Sequence, residues 1–240
     1  MAKKDPFGLA KINFFQDVIS CLMNLKPYAL DHNLGKYDAI RHAHFLTGIE
    51  AVEGDYLEFG VFTGSSFAHS VRSYKKLGEF NQRKGPVRFF GFDSFEGFGE
   101  SEDENQHPFF QDSNFVWPVE RVLKRASKLA RNHGVEARII KGFFDETLRD
   151  SKKYEIEKAS VIFMDCDLHD ATRRALEFCT ELIQDGTILL MDEYFYFQGK
   201  AGMTPYGAFI DWCATHQIGH RVIRSYGIGS AIIILQRATV

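Results

Sequence analysis

The chain has 240 residues, of which 45% are hydrophobic and 25% are charged, so it can bury one sizeable core. Its formal net charge of -3 argues against a broad basic surface for nucleic acid or anionic membranes. The N-terminus does not resemble a signal peptide, and no apolar stretch approaches the ~20 residues that span a bilayer. We therefore expect a small-molecule partner, with no nucleic acid and no membrane among the partners.

The cysteines are scattered along the chain without a C-x-x-C pair. They are Cys21, Cys166, Cys179 and Cys213. This spacing favours reduced core thiols over a disulfide framework or a zinc site. Because thiols stay reduced in the cytoplasm, we expect a cytoplasmic protein.

Residues 1–50 carry apolar residues at helical spacing and contain no strand-like run. The first pattern includes Phe14, Val18 and Leu22, and the second includes Ile40 and Phe45. We predict that this part of the chain forms a helical appendage or lid. The main domain then covers residues 51–240.

After residue 51 the chain alternates between short apolar runs and helical patterns. Runs rich in β-branched or aromatic residues predict strands at 56–60, 87–92, 137–141, 160–165 and 187–192. Helical patterns at 118–133 and 170–184 lie between them. The strand runs are continuously apolar, which is typical of a parallel sheet covered by helices on both faces.

In the C-terminal segment, the last two apolar runs lie much closer together in sequence than the earlier ones. After a helical pattern near 208–216, apolar runs at 220–226 and 230–236 are separated only by Gly227, Ile228 and Gly229. This spacing predicts an antiparallel hairpin. The expected fold is therefore a doubly wound α/β domain, whose mostly parallel seven-stranded sheet ends in a C-terminal antiparallel hairpin.

The stretch YLEFGVFTGSS, residues 56–66, reads as a strand, a glycine turn and the start of a helix. Gly60 and Gly64 would let the backbone approach a ligand, and Ser65 or Ser66 could cap the helix. Ligands collect at this edge of an open parallel sheet. The dinucleotide pattern G-x-G-x-x-G is absent because Phe62 replaces its middle glycine, so a tight turn without a ligand is the alternative.

Two acids accompany this turn. Glu58 lies inside an apolar strand, where a carboxylate needs a polar partner. It suits a cationic ligand such as S-adenosylmethionine better than a pyrophosphate, which a carboxylate would repel. Asp93 ends the next strand, where an acid can bind ribose hydroxyls; the less favoured alternative is a simple loop acid.

Three further acids follow two later strands. Asp165 ends one strand, and Asp192 with Glu193 ends the next. Because neighbouring strands lie about 4.8 Å apart, their carboxylates can converge on one point. A hard divalent cation such as Mg²⁺, Mn²⁺ or Ca²⁺ would relieve their repulsion. The alternative is that helix N-termini and solvent hold these acids.

Separate stretches resemble, in order, the signatures of the macrocin O-methyltransferase group: GDYLEFGVFTGSS, GFDSFEGF, KGFFDETL, VIFMDCDLHDAT and TILLMDEY. The resemblance covers about residues 55–194. It implies a class I S-adenosylmethionine-dependent methyltransferase with a seven-stranded sheet ending in an antiparallel hairpin. Several members of that group methylate sugar hydroxyls on antibiotics.

The resemblance also implies roles for individual residues. It places the donor's methionine part at the glycine turn, its ribose at the end of the second strand and its adenine beside two phenylalanines. The predicted cofactor-binding residues are Glu58, Gly60, Val61, Gly64, Ser65, Asp93, Ser94, Phe143 and Phe144. One of the two phenylalanines could equally be an ordinary core residue.

For the reaction itself, the resemblance makes Asp165 the proton acceptor. His169, four residues later, is the alternative, although the family often shows a tyrosine there and a histidine at a helix start is more often a cap or surface residue. The resemblance also implies magnesium bound by Asp165, Asp192 and Glu193. The sequence departs from the group here, because Glu193 stands where the family commonly shows an aspartate.

Two segments are candidates for walls of an acceptor site. Residues 99–118 form a long, acidic stretch that ends in Phe109, Phe110, Phe115 and Trp117, and residues 194–209 follow the predicted metal acids. The first reads either as a lid over the acceptor or as a solvated loop whose aromatic residues enter the core.

The prediction is an O-methyltransferase that uses S-adenosylmethionine and a divalent metal to methylate a hydroxyl of a sugar or polyketide-like natural product. It could act as a homodimer. A metal-independent methyltransferase of the same fold is the nearest alternative. A nicotinamide-dependent dehydrogenase and a binding protein without turnover are the others.

Overall fold

The computed structural model describes residue 8 and residues 12–99 and 115–237. The strands are β1 Asp55–Phe59, β2 Phe89–Asp93, β3 Ala137–Lys141, β4 Ala159–Met164, β5 Ile188–Met191, β6 Gly219–Tyr226 and β7 Ser230–Gln236. The helices are α1 Asn13–Leu25, α2 Tyr28–Ile49, α3 Ser65–Lys76, α4 Val119–His133, α5 Phe144–Thr147, α6 His169–Cys179 and α7 Pro205–Thr215.

All seven strands form one sheet in the order β3-β2-β1-β4-β5-β7-β6. Strands β1 to β5 run parallel, whereas β7 pairs antiparallel with both β5 and β6. The order reverses between β1 and β4, the position at which open α/β sheets bind ligands. The predicted fold is confirmed, including the C-terminal hairpin.

Most predicted element boundaries lie within two residues of the observed ones, and β3 and β7 coincide with their predictions. The prediction of a helix over 170–184 was too long, because α6 ends at Cys179. The chain then turns, and the Leu182 carbonyl accepts a hydrogen bond from the Ala159 amide at the start of β4. Leu182 and Ile183 are buried as the apolar pattern implies, but in the turn that leads from α6 into β5.

The sheet separates two apolar cores. One face of the sheet packs against α6 and α7, through residues such as Leu176 and Phe209. The other face packs against α2, α3 and α4, through residues such as Ile40, Phe67 and Val122. Burial on both faces explains why the strand sequences are continuously apolar.

The two N-terminal helices differ in burial. Helix α1 has no buried residue, whereas α2 buries Ala39, Ile40 and Ala43 in the same core as Tyr56 of β1. Helix α2 therefore crosses from an exposed start to a buried end. The division of the chain at residue 50 into an appendage and a main domain stays a prediction.

Among the helices that the structure describes, none combines the length and the apolar character needed to cross a bilayer.

Candidate active site

A cavity of about 920 Å³ lies at the carboxyl ends of β1, β2, β4 and β5. One side, here called the glycine-turn half, is lined by Gly60, Phe62, Asp93, Ser94, Phe143 and Phe144. The other side, here called the acid half, is lined by His32, Lys36, Asp165, Asp167, Asp192 and Glu193. The volume lies toward the upper end for ligand pockets, so it can hold a cofactor together with a small acceptor.

The turn between β1 and α3 depends on Gly60. This residue has φ +88°, and a Cβ atom there would lie 1.8 Å from the carbonyl oxygen of Asp165. Only glycine fits both the conformation and the contact. Gly64, with φ +72°, occupies the N-cap of α3, and no side chain caps the helix. The predicted serine cap was therefore wrong for this helix.

Glu58 is fully buried, with 0% exposure. Its carboxyl group accepts hydrogen bonds from the Tyr56 hydroxyl and from the Ser66 hydroxyl. Burial raises the pKa of Glu58 to about 8, against the opposing effect of these two donors. The polar partner that the sequence requires is thus provided by the protein, and Glu58 does not line the cavity.

Asp93 connects the end of β2 to the glycine turn. Its Oδ2 accepts hydrogen bonds from the amides of Val61 and Phe62, each at 2.7 Å, and its Oδ1 accepts one from Phe95 at 2.6 Å. Burial raises its pKa although these donors favour the carboxylate. The neighbouring Ser94 hydroxyl donates to the Gly97 carbonyl at 2.6 Å. Asp93 therefore fixes the turn and also faces the cavity.

Both predicted phenylalanines line the cavity. Phe144 also packs edge-on against Phe59, with ring centroids 6.0 Å apart, so it belongs partly to the core. Phe143 lies against Gly99, where a Cβ atom would approach its ring to 2.7 Å.

The predicted cofactor residues thus fall into two groups. Those that line the cavity are Gly60, Asp93, Ser94, Phe143 and Phe144, and those that lie behind it are Glu58, Val61, Gly64 and Ser65. The second group shapes the turn without reaching the cavity wall.

Aromatic residues cover the glycine-turn half. The ring of Phe62 makes edge contacts with Phe115 and Trp117, at centroid distances of 6.0 and 5.8 Å. Phe115 and Phe98 also line the cavity. The predicted lid residues Phe109 and Phe110 lie outside the described residues.

In the acid half, Asp165 follows β4, and Asp192 and Glu193 follow β5, at the positions that the sequence predicts. The structure brings oxygen atoms of Asp165, Asp167 and Glu193 within 4.8 Å of one another. We call these residues the acid trio. Sequence reasoning missed Asp167, because it considered only the residue at the strand end. The D-x-D spacing of 165–167 was the available signal.

The carboxyl groups of the acid trio have raised pKa values. Burial, and then repulsion by neighbouring carboxylates, raises the pKa of both Asp167 and Glu193 well above its ordinary value. Glu193 is 2% exposed, and its Oε2 has no hydrogen-bond partner among the described residues. Burial also raises the pKa of Asp165, to about 6, although Lys36 opposes the shift.

Asp192, a predicted metal ligand, has other partners. Its Oδ2 lies 3.1 Å from both His32 Nε2 and Lys36 Nζ, and its Oδ1 accepts a hydrogen bond from the Ser230 hydroxyl at 3.0 Å. Burial would raise its pKa, but Lys36 and His32 hold it below its ordinary value. Lys36 and His32 come from α2, and no sequence pattern near them indicated a place in the site.

His169, the predicted alternative proton acceptor, is the first residue of α6 and is not among the cavity-lining residues. It therefore does not form part of the cavity wall that carries the acid half. Its catalytic role stays a prediction that the geometry does not favour.

The acid trio fits a hard divalent cation. Its donors are all carboxylate oxygens, which Mg²⁺, Mn²⁺ and Ca²⁺ prefer. The buried, unpartnered Oε2 of Glu193 is a second indication, because such an atom costs free energy unless something binds it.

Comparisons with solved structures support the same fold. The O-methyltransferase NovP matches with a TM-score of 0.65 and 20% identity, over 85% of this chain and 80% of that one. The calicheamicin methyltransferase CalS11 matches with a TM-score of 0.62 and 18% identity, over 94% of this chain and 87% of that one. An O-methyltransferase from Bacillus cereus, solved in complex with SAH, matches with a TM-score of 0.51 and 14% identity, over 98% and 92% of the two chains.

No curated protein matches the sequence significantly. The family comparison is decisive instead, because residues 36–219 match the macrocin O-methyltransferase (TylF) family. The match begins at Lys36 within α2 and so extends beyond the segment in which the resemblance is visible by motif. The chain belongs to the macrocin O-methyltransferase family and is an S-adenosylmethionine-dependent O-methyltransferase.

Proposed function

We propose that this enzyme methylates a hydroxyl group of a sugar or polyketide-like natural product, with a divalent cation, Mg²⁺ in the first instance, assisting. The observation that carries this proposal is that one cavity joins the glycine turn to the acid trio. A cofactor bound at the first can thus present its methyl group to an acceptor oxygen at the second.

The glycine-turn half provides the groups that would hold the methyl donor. Asp93 and Ser94 face the place for ribose hydroxyls, and Phe143 and Phe144 offer flat apolar surfaces for an adenine ring. Glu58, Val61, Gly64 and Ser65 support this half from behind, since they shape the turn and its helix. S-adenosylmethionine supplies a methyl group bound to a positively charged sulfur.

In the acid half, the acceptor's hydroxyl oxygen forms the new C–O bond while the C–S bond of the donor breaks. The hydroxyl proton then passes to a carboxylate. Asp167 lines the cavity, and no hydrogen bond or ion pair joins it to another of the described residues. Asp165 Oδ2 already accepts a hydrogen bond from Lys36 at 2.9 Å. We therefore rank Asp167 first as proton acceptor and Asp165 second.

Asp165 and Glu193 are the best placed ligands for the cation, since Mg²⁺ often uses one or two protein carboxylates and keeps several waters. The third predicted ligand, Asp192, is held by Lys36 and His32. A bound divalent cation would stabilise the alkoxide on the acceptor and allow neighbouring carboxylates to ionise together.

Three observations support the acceptor class. The chain belongs to a family named for macrocin methylation. The structural relative CalS11 is described, in its apo structure, as a TDP-rhamnose 3'-O-methyltransferase; that structure matches with a TM-score of 0.56 and 16% identity over 94% of this chain and 88% of that one. The cavity volume is the third consideration, because it leaves room for a sugar beside the donor.

The test is methyl transfer by the purified protein to a panel of glycosylated natural products and nucleotide sugars. We expect a product that is heavier by one methyl substitution, and heat on titration with S-adenosylmethionine or SAH. A protein that binds neither compound is not working through this cavity. Binding without transfer to any acceptor would favour the binding-protein alternative.

The metal requires a separate test. Dialysis against EDTA should abolish turnover, and Mg²⁺ or Mn²⁺ should restore it. Glu193→Gln should lose the restoration, whereas the exposed Glu157→Gln should keep it. Full activity after chelation would instead establish the metal-independent alternative.

Two broader proposals follow the same data. The cysteines are all free, and only Cys21 is exposed, which fits a reducing, cytoplasmic environment.

We also propose a homodimer, because α1 exposes large apolar side chains such as Phe14, Leu22 and Met23. Light scattering on the full chain would give the molar mass directly.

A further inference from the structure

Lys36 is a buried cation that reaches the acid half from outside the sheet. Its ammonium group donates to Asp165 Oδ2 at 2.9 Å and lies 3.1 Å from Asp192 Oδ2. The same group lies 5.3 Å from the centre of the Phe163 ring. Only 13% of the side chain is exposed. An ammonium buried to this extent is strongly unfavourable unless it is paired, so the contacts define its position.

The acid half contains more acidic than basic side chains. Its carboxyl groups are those of Asp165, Asp167, Asp192 and Glu193, and the basic side chains beside them are Lys36 and His32 of α2. Arg173 and Arg174 of α6 also line the cavity, but both pair with Asp170. Lys36 and His32 both face Asp192, and Lys36 alone bonds Asp165. No ion pair joins Asp167 or Glu193 to any described residue. Among the four carboxyl groups of the acid half, the paired positive charge therefore lies beside Asp192 and Asp165.

The unequal distribution of basic partners divides the four acids into those that are already paired and those that are not. Asp192 is bound on one oxygen by two basic groups and on the other by Ser230, so it is already satisfied. Asp165 is shared, because one oxygen bonds Lys36 while an oxygen of the same carboxyl lies within 4.8 Å of the other members of the acid trio. The trio remains as the place for a second positive charge.

We propose that Lys36 is a positioning residue whose ammonium group holds Asp192 and one oxygen of Asp165. It thereby confines divalent-cation binding to the acid trio, and its own positive charge weakens that binding. This inference rests on the proposed metal site and adds a determinant of its affinity. Because like charges repel over short distances, a cation at the trio binds against the field of Lys36. Because Lys36 belongs to α2, the packing of this helix on the sheet determines where the positive charge lies in the site.

The expected signature is a gain in affinity when the lysine is removed. In Lys36→Met, Mn²⁺ and Mg²⁺ should bind at least about tenfold more tightly than in the wild type, because repulsion is lost and two carboxylates are released. Lys36→Arg keeps the charge and should bind these ions with nearly wild-type affinity. Lys128→Met, on the exposed surface of α4, is the matched control for loss of a lysine.

The measurement is calorimetric titration of each full-length protein with MnCl₂ and MgCl₂ after chelator treatment. It is accompanied by thermal unfolding with and without the ions. Without metal, Lys36→Met should unfold at a lower temperature than the wild type, and saturating Mn²⁺ should restore its stability more than it stabilises the wild type. Damage to the fold alone would not tighten metal binding. If Lys36→Met is too unstable to purify, Lys36→Gln serves for the same titration.

The outcomes separate the two proposals. Tighter binding in Lys36→Met than in the wild type supports the inference, even if the wild type binds no ion measurably. Equal or weaker binding in Lys36→Met, with binding by the wild type, overturns the role of Lys36 and leaves the metal site standing. No binding by either protein overturns both, while titration of the same samples with SAH tests the cofactor half independently.

Discussion

The two halves of the cavity differ in how their buried carboxyl groups are hydrogen-bonded and paired. In the glycine-turn half, Glu58 accepts hydrogen bonds from two hydroxyls and Asp93 accepts them from three backbone amides. In the acid half, Asp167 and Glu193 have no ion-pair partner among the described residues and repel each other. In the first half, the protein itself supplies hydrogen-bond donors to the buried carboxyl groups. The second half brings together buried carboxyl groups whose pKa values are raised, at the place where we propose that proton transfer occurs.

This difference makes the consequences of substitution predictable. Changes in the glycine-turn half should act mainly on stability and cofactor affinity, because its acids are part of the structure. Changes in the acid half should act mainly on turnover and cation binding. The following predictions test that division.

The largest effect is expected for Asp167→Asn. Because general acid–base catalysis contributes about 10²–10⁴-fold, we expect a loss of that size in kcat. SAH affinity should change little, since Asp167 belongs to the acid half. Steady-state kinetics and calorimetry measure the two quantities, with the exposed Asp211→Asn as control. A parallel loss of SAH affinity would contradict the division between the halves.

Gly60→Ala should destabilise the fold next most strongly. The added Cβ would lie 1.8 Å from a backbone carbonyl, at a φ of +88° that alanine rarely adopts. We expect a loss of about 4 kcal/mol or more in the free energy of unfolding, combining overpacking and backbone strain. Gly134→Ala is the matched control, because it also has positive φ but has no atom within 4 Å. It should cost only about 1–2 kcal/mol in urea unfolding.

Asp93→Ala removes the acceptor for three amides. We expect a loss of about 3 kcal/mol in stability, since each unsatisfied buried donor costs about 1–3 kcal/mol and water in the cavity can satisfy some of them. SAH should also bind more weakly, because the turn is no longer fixed. Asp150→Ala, which removes the acceptor for one exposed amide, should cost far less. Equal losses in the two variants would show that Asp93 does not fix the turn.

Glu58 should impose a pH dependence on stability. Its folded-state pKa of about 8 lies above its ordinary value of 4.5, so its favourable contribution is complete below pH 4.5 and is lost as the pH rises through 8. At about 1.4 kcal/mol per pH unit, the wild type should lose on the order of 3 kcal/mol between pH 5 and pH 8 relative to Glu58→Gln. Urea unfolding across this range measures the difference. Parallel pH profiles of the two proteins would mean that Glu58 ionises freely.

The smallest effect is expected for Glu193→Gln in the absence of metal. The raised pKa of Glu193 has the same sign, so the wild type again loses stability as the pH rises above the ordinary value of 4.5. Glutamine carries no ionisable proton, so at pH 8 with EDTA the variant should be more stable than the wild type by about 1–2 kcal/mol. At pH 5 the gain should be smaller. A destabilising effect at pH 8 would show that Glu193 has a favourable partner.

Several features were predictable because they depend on local sequence. Short apolar runs and helical spacing located every strand, and the strand ends located Asp165, Asp192 and Glu193. The end of α6 was not predictable from spacing, since Leu182 and Ile183 continue the apolar pattern after the helix has stopped. The serine cap also failed, because Ser66 donates instead to Glu58.

The sequence by itself determined the sheet and the edge at which the site forms, because parallel strands bring their carboxyl ends to one side whatever the surrounding helices do. Tertiary structure decided which acids face one another and which are neutralised. Lys36 and Asp165 are 129 positions apart, and His32 and Asp192 are 160 apart. Such pairs depend on how α2 docks on the sheet, and that docking follows from core packing and from no pattern near the charged residues themselves.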